Sequence, residues 1–320
     1  MNQLQQQMYR LGIIPVVTIQ KASDAVNLAG ALCRGGLPCA EVTFRTEAAK
    51  DAIRAMTQAY PQMLVGAGTV LTRQQADDAI QAGAKFLVSP GLNPNLVSYC
   101  LEQGYPIIPG CATPSDVERA IELGLTAVKF FPAEAAGGLP MLKAMSAPYH
   151  QMKFMPTGGI NLSNLNRYLG FSKIFACGGS WMVKEELIRS GDFAQIEQLT
   201  RQAVETMLDL KLDHIGVSGG EQAVQQAEEL TALLGWNKTE GEKSFFAGSQ
   251  IEIMKGISRG EKGHLGISTN SVERAQRYLE SRGYTFDEST AVYTEQGEKR
   301  FIYLENSVAG FAVHLMAKGV

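Results

Sequence analysis

The chain lacks the features that would mark it as a nucleic-acid binder or a membrane protein. Its 320 residues carry 29 lysines and arginines against 32 aspartates and glutamates, so there is no excess of positive charge for binding nucleic acid. Its apolar stretches, such as residues 13–19, are too short to cross a bilayer, and the glutamine-rich start lacks the layout of a signal peptide. We expect no nucleic-acid partner, no membrane association and a cytoplasmic location.

Cysteine is also scarce. The five cysteines are an odd number and no two are separated by two residues, so neither a disulfide framework nor a thiolate metal site is indicated. We expect them to be small buried residues. With 45% apolar and 19% charged residues, the composition is globular, and the length suits about two domains.

One pattern recurs eight times between residues 13 and 180: a short apolar run is followed by an Ala/Leu-rich segment with helical spacing. This alternation is typical of βα units. Eight units in about 200 residues favour an α/β fold of the (β/α)8 TIM-barrel type over an open doubly wound sheet. The apolar runs lie at residues 13–19, 39–44, 64–70, 85–90, 106–110, 127–133, 153–159 and 174–180.

The alternation stops after an amphipathic segment at residues 192–209, which predicts one domain over residues 1–208 and a second over residues 209–320. The second contains an internal near-repeat that opens with His214-Ile-Gly-Val and again with His264-Leu-Gly-Ile. Each copy continues into a helix and closes on a strand that carries Glu252 or His314. We expect a smaller α+β domain of two βαβββ-like units, the first having lost or shrunk a strand pair.

Two charged residues stand inside predicted barrel strands. Lys129 lies between Val128 and Phe130, and burying an ammonium disfavours its charged form, which leaves an amine able to attack a carbonyl. Glu41 lies in the second run and could shuttle the protons that such chemistry needs. The alternatives are a lysine that reaches solvent at a strand edge and a buried ion pair of Glu41 with Lys129 or Arg45.

Paired glycines end the seventh and eighth runs, at Gly158-Gly159 and Gly178-Gly179. Loops after these two strands of a TIM barrel commonly bind phosphate through backbone N–H groups. The sequence therefore predicts a phosphate site beside the charged pair.

Residues 1 to about 208 resemble the 2-keto-3-deoxy-6-phosphogluconate (KDPG) and 4-hydroxy-2-oxoglutarate (KHG) aldolases. The motifs that carry the resemblance are EVTFRT (41–46), VGAGTV (65–70), SPG (89–91), IPG (108–110), KFFPAE (129–134), PTGGI (156–160) and GGSW (178–181). The resemblance implies a class I carbon-carbon lyase that needs no cofactor and splits a phosphorylated 2-keto-3-deoxy sugar acid into pyruvate and an aldehyde. It also implies a homotrimer.

By motif position, Lys129 is the Schiff-base lysine and Glu41 the general acid and base. The resemblance assigns the other substrate contacts as follows: Arg45 and Thr69 to the pyruvate carboxylate, Pro90 and Phe131 to the pocket wall, and Gly158, Gly159, Gly179 and Ser180 to the phosphate. The alternative is a phosphate-binding barrel isomerase or decarboxylase, which needs no lysine imine.

Three of the four histidines lie in the last third, at corresponding strand positions of the repeat. With one glutamate they form a possible metal-ligand set: His214, Glu252, His264 and His314. The paired units resemble the vicinal oxygen chelate superfamily, and three imidazoles with a carboxylate suit zinc, iron, nickel or manganese. A structural polar cluster without metal is the alternative. The domain could be a metal-dependent enzyme, a sensing module or an oligomerisation element.

Overall fold

The computed structural model describes residues 1–319 and divides into a first unit, Met1–Met207, and a second from Leu208 onward. No helix among these residues is both long and apolar enough to span a membrane.

In its described part, the first unit holds eight parallel strands in the order β7-β6-β5-β4-β3-β2-β1-β8. Isolated bridges from Phe154 to Ile174 and from Thr157 to Gly178 join β7 to the β8 side, which closes the sheet into the expected (β/α)8 barrel. The strands are β1 (Ile13–Val17), β2 (Cys39–Thr43), β3 (Leu64–Gly68), β4 (Leu87–Ser89), β5 (Ile107–Cys111), β6 (Ala127–Phe130), β7 (Lys153–Pro156) and β8 (Cys177–Gly179).

Helices follow the strands and begin where the sequence supplies caps. The side chains of Thr72, Asn93 and Thr113 each accept a hydrogen bond from the first turn of the helix that follows, and a proline is the first residue of two of these helices. The helices are α1 (Gln3–Leu11), α2 (Ala25–Arg34), α3 (Ala49–Ala59), α4 (Arg73–Gln81), α5 (Pro94–Glu102), α6 (Pro114–Glu122), α7 (Gly138–Ser146), α8 (Leu165–Leu169), α9 (Glu185–Ser190) and α10 (Phe193–Leu208).

The second unit contains two βαβββ repeats whose strands form one mixed sheet in the order β10-β11-β12-β9-β13-β16-β15-β14. The first repeat keeps all four strands, so its strand pair has shrunk and was not lost. The elements are β9 (Lys211–Ser218), α11 (Ala223–Leu234), β10 (Lys238–Glu240), β11 (Ser244–Ala247) and β12 (Ile251–Met254), then β13 (His264–Thr269), α12 (Val272–Glu280), β14 (Phe286–Tyr293), β15 (Lys299–Leu304) and β16 (Ala312–Ala317).

The first strands of the two repeats, β9 and β13, pair antiparallel at the centre of this sheet. A small core forms where α11 packs on the first repeat, with Ala223 and Ala227 of the helix against Phe245 and Ile253 of the strands.

Candidate active site and candidate metal centre

The charged residues of the two barrel strands meet inside the barrel. Glu41 lies in β2 opposite Gly66 of β3, and Lys129 lies in β6 opposite Gly110 of β5. Even-numbered strands of such a barrel contribute side chains to the same interior layers, so residues from β2 and β6 can face each other across it. The Nζ atom of Lys129 is 3.2 Å from Oε1 of Glu41, and the two residues are 6% and 1% exposed.

Gly68 of the neighbouring strand β3 leaves the space that the side chain of Glu41 occupies. A Cβ at Gly68 would lie 2.3 Å from Oε1 of Glu41, so a side chain at position 68 would fill the space that the carboxylate occupies. The other carboxylate oxygen, Oε2, is buried and has no hydrogen-bond partner within residues 1–319. Buried polar atoms are rarely left in this way, and Oε2 remains able to accept a hydrogen bond from a hydroxyl group or a water.

A cavity of about 550 Å³ lies at the carboxyl ends of the strands. Its lining includes six of the eight predicted substrate contacts, namely Arg45, Phe131, Gly158, Gly159, Gly179 and Ser180. Thr69 and Pro90 are not part of the cavity lining that residues 1–319 provide. Thr69 directly follows β3 and has a positive φ of 55°, which is unusual for a residue with a side chain.

Two polar side chains of the cavity lining were assigned no role from the sequence, although both stand in the quoted motifs. Thr157 belongs to PTGGI and Trp181 to GGSW. The Oγ1 of Thr157 and the Nε1 of Trp181 are buried, and neither has a hydrogen-bond partner in the described part of the chain. Both are therefore further donors available to a bound molecule.

The two pairs of glycines are required for different physical reasons, the first pair for its backbone conformation and the second for space. Gly158 and Gly159 have φ values of 99° and 83°, a backbone conformation that glycine adopts without strain. Gly178 and Gly179 are needed for space, because a Cβ would lie 2.3 Å from Oγ1 of Thr157 in the first case and 1.9 Å from the Trp181 ring in the second.

The first loop is also tied to the end of β6. The backbone N–H of Glu134 donates to the carbonyl of Gly158 at 3.0 Å, and the hydroxyl of Tyr168 donates to the carboxylate of Glu134. The side-chain amides of Asn161 and Asn164 both donate to the carbonyl of Gly159 at 3.1 Å. The loop that faces the cavity is therefore positioned by its neighbours.

Residues 4–199 match the family model for KDPG and KHG aldolases. The chain belongs to this aldolase family. Among its relatives, the 2-dehydro-3-deoxy-phosphogluconate aldolase of Treponema pallidum is 52% identical over 196 residues, which are 61% of this chain and 93% of that protein. The KHG/KDPG aldolase of Escherichia coli is 44% identical over 193 residues, 60% of this chain and 91% of that protein.

Solved aldolase structures agree with the barrel. The KDPG aldolase of Legionella pneumophila, with pyruvate captured as a covalent carbinolamine, is 40% identical with a TM-score of 0.60 and covers 62% of this chain and 97% of its own. The Zymomonas mobilis enzyme with 3-phosphoglycerate is 42% identical with a TM-score of 0.58 and covers 62% of this chain and 94% of its own. The aldolase family match ends at residue 199, before the second unit begins.

In that second unit, the sheet register brings the four predicted metal-ligating residues together. His214 of β9 lies opposite Gly266 of β13, and His264 of β13 lies opposite Gly216 of β9. A Cβ at Gly216 would lie 1.9 Å from Cε1 of His264, and one at Gly266 would lie 2.3 Å from Cε1 of His214. Each His-x-Gly of the repeat thus supplies a histidine and the space for the histidine of the other copy.

The remaining two residues join from the outer strands. Glu252 of β12 lies opposite Gly216, and His314 of β16 lies opposite Gly266. The Nε2 atoms of His214 and His264 are 3.2 Å apart, and Oε2 of Glu252 is 3.5 Å and 2.9 Å from them. Ligand atoms of a tetrahedral zinc site lie roughly 3.3 Å apart, so these spacings suit a metal.

The protonation of the cluster also suits a metal. Burial, followed by the neighbouring His214 and His264, lowers the pKa of His314 to about 3, so its imidazole is neutral. Burial opposes ionisation of Glu252, but hydrogen bonds with His264 and Ser244 outweigh it and hold the pKa of that carboxyl below its usual value. A neutral imidazole and an ionised carboxylate are the forms that bind metal.

Three observations test whether these residues fit a metal. One ligand atom from each histidine lies within 4.8 Å of the others. His314 is 2% exposed, and its Nδ1 has no hydrogen-bond partner within residues 1–319. The other two histidine rings are oriented through their Nδ1 atoms. Asp213 lies 3.0 Å from Nδ1 of His214, and the hydroxyl of Ser258 lies 2.8 Å from Nδ1 of His264. The donor set therefore fits a divalent cation.

Proposed function

We propose that the barrel catalyses Schiff-base cleavage of 2-keto-3-deoxy-6-phosphogluconate, or of 4-hydroxy-2-oxoglutarate, to pyruvate and an aldehyde. The aldehyde is glyceraldehyde 3-phosphate in the first case and glyoxylate in the second. The observation that carries this proposal is the buried pair of Lys129 and Glu41, 3.2 Å apart, in a member of this aldolase family. We also propose that the catalytic domain ends at residue 208 and that residues 209–320 form a separate domain.

In the proposed reaction, Lys129 first passes its ammonium proton to Glu41, 3.2 Å away, and the resulting amine attacks the C2 carbonyl of the substrate. Glu41 then returns the proton to the carbinolamine hydroxyl, which leaves as water to give an iminium. Glu41 takes the proton of the C4 hydroxyl, the C3–C4 bond breaks, and its electrons move into the iminium to form an enamine. The aldehyde leaves, C3 is protonated, and hydrolysis releases pyruvate and the free lysine. The proton balance needs no metal and no further cofactor.

The remaining barrel residues are proposed as substrate contacts. Arg45 and Thr69 would bind the pyruvate carboxylate, and Pro90 and Phe131 would line the pocket. The Nζ of Lys129 lies 5.2 Å from the Phe131 ring centroid, which supports a place for Phe131 beside the reacting amine. The phosphate would lie on the glycine loops, with the contacts Gly158, Gly159, Gly179 and Ser180.

Borohydride reduction in the presence of pyruvate tests the imine. We expect one reduced pyruvate adduct per chain, located on Lys129 by peptide mass spectrometry, with loss of activity. Lys153, a partly buried lysine of the next strand β7, serves as the internal control and stays unmodified. A fully active, unmodified protein after this treatment would contradict the assignment and favour an isomerase or decarboxylase that uses no imine.

We further propose that the second unit is a vicinal-oxygen-chelate-like domain with a divalent metal site. His214, Glu252, His264 and His314 would hold zinc, iron, nickel or manganese, and the ion would supply a Lewis acid for an oxygen-bearing substrate. Support comes from the spacing of the donor atoms and from the orphaned nitrogen of His314. This makes the metalloenzyme role preferable to a sensing or oligomerisation role.

Metal analysis of the full-length chain tests this site. We expect one metal ion per chain for the wild type and for His150→Ala, which removes the exposed histidine of the barrel unit, and a metal-poor chain for His264→Ala. A wild-type chain that stays metal-free and gains no thermal stability with added metal would overturn the proposal. The proposed trimer is tested separately, by light scattering of the full-length chain.

A further inference from the structure

Aromatic side chains lie on both sides of the histidine cluster, on the strands next to those that carry Glu252 and His314. Phe246 of β11 lies opposite Glu252, and Tyr303 of β15 lies opposite His314. The Tyr303 ring centroid is 5.0 Å from that of His314, and the Phe301 ring is 4.5 Å from it. These rings form an aromatic wall beside the histidine cluster.

The side chain of Arg259 stacks on one ring of this wall. The guanidinium carbon of Arg259 lies 4.7 Å from the centroid of the Tyr303 ring, a stacking distance for a cation and an aromatic face. Arg259 lies between β12 and β13, and the Tyr303 ring that it contacts also lies against the ring of His314.

The backbone next to Arg259 is tied to the same cluster. Ser258 is 5% exposed, its Oγ lies 2.8 Å from Nδ1 of His264, and its N–H donates to the hydroxyl of Ser218 at 2.8 Å. The residue before Arg259 is therefore anchored on a predicted metal ligand.

The charges around Arg259 leave it able to bind an anion. Its guanidinium lies 3.4 Å from the carboxylate of Asp287, at the long end of a hydrogen bond, and the two side chains are 54% and 32% exposed. The Asp287 carboxylate also accepts from the backbone N–H of Ser289. Arginine has five N–H donors arranged as a fork that matches a carboxylate, so donors remain for a ligand.

We propose that Arg259, stacked on Tyr303, binds the carboxylate of a small 2-oxo acid at the histidine cluster. This inference rests on the proposed metal site. A divalent cation with three neutral imidazoles and one carboxylate keeps a net positive charge, and Arg259 adds a second positive centre to one side of it. A 2-oxo acid carries a carboxylate for the arginine and a carbonyl oxygen for the cation. The proposed aldolase reaction of the same chain releases such an acid, pyruvate.

The test uses the full-length chain with Mn²⁺ and follows water-proton relaxation, which reports on ligands near the ion and not on pyruvate held by Lys129. Pyruvate is the probe, with acetate and inorganic phosphate as comparison anions. The variants are Arg259→Gln and Arg259→Lys, and Lys262→Gln is the matched control because Lys262 is an exposed cation of the same turn.

We expect Arg259→Gln to weaken pyruvate binding by roughly 10- to 100-fold, the effect of one charge-assisted hydrogen bond, and to leave Mn²⁺ affinity unchanged. Arg259→Lys should recover part of the loss, and Lys262→Gln should bind like the wild type. Unchanged pyruvate affinity in Arg259→Gln, or acetate and phosphate binding as tightly as pyruvate, would overturn the inference alone. A wild-type chain that does not bind Mn²⁺ would overturn the metal site and this inference with it.

Discussion

Removal of Lys129 should destabilise the barrel as well as stop catalysis. The Lys129→Met substitution removes the ammonium that lies 3.2 Å from the carboxylate of Glu41, a residue that is 1% exposed. Breaking a buried ion pair by removing one partner costs about 3–5 kcal/mol because the other charge stays buried. For a unit of this size that corresponds to a fall in Tm of roughly 6–20 °C.

The double variant Glu41→Gln/Lys129→Met distinguishes the unpaired charge from the loss of packing. Replacing both partners removes the uncompensated charge, and such replacements are often close to neutral. We therefore expect the double variant to recover most of the stability that Lys129→Met loses. Neither variant should form the reduced pyruvate adduct.

The assay is urea and thermal unfolding of the full-length chain at a fixed protein concentration, since an oligomer makes stability concentration-dependent. The two tryptophans of the sequence lie in different units, so a Trp236→Phe background leaves Trp181 as the sole tryptophan and reports on the barrel. A Lys129→Met chain as stable as the wild type, or a double variant no more stable than Lys129→Met, would refute the reasoning.

Three other substitutions probe the loops and the cluster. Gly179→Ala puts a Cβ 1.9 Å from the Trp181 ring, so we expect a shifted Trp181 emission in the Trp236→Phe background and a raised KM for the phosphorylated substrate; an unshifted spectrum would contradict the packing. Gly216→Ala should lower metal content because its Cβ meets the opposite histidine ring, whereas Gly256→Ala, where a Cβ has nothing within 4 Å, should not. Tyr168→Phe should raise KM about two- to tenfold for the phosphorylated substrate; an equal rise for 4-hydroxy-2-oxoglutarate would argue against a role at the phosphate loop.

Much of the barrel could be predicted because its information is local. Each βα unit shows its own apolar run and helical segment, and Lys129 and Glu41 are visible as charges within such runs. Thr157 and Trp181 could not be assigned a role from the sequence because that role depends on which atoms face the cavity. Local patterns do not report that orientation.

In the second unit too, the sequence shows the repeated residues but not the contacts between them. The repeated His-x-Gly is legible in the sequence, but the reason for its glycines is the antiparallel pairing of β9 and β13, which places each histidine ring over a glycine of the other strand. The reduced strand pair of the first repeat was undecided in the sequence, since short strands leave a weak pattern.

The sequence by itself determined the order of the strands, the chemistry of the residues they carry and the duplication of the second unit. The tertiary structure decided which of those residues meet: Glu41 with Lys129 across the barrel, and the three histidines with Glu252 across four strands. The physical reason is that barrel closure and sheet register set distances between residues far apart in the chain, 88 positions for Glu41 and Lys129 and 50 for His214 and His264, and these distances depend on the packing of the whole unit.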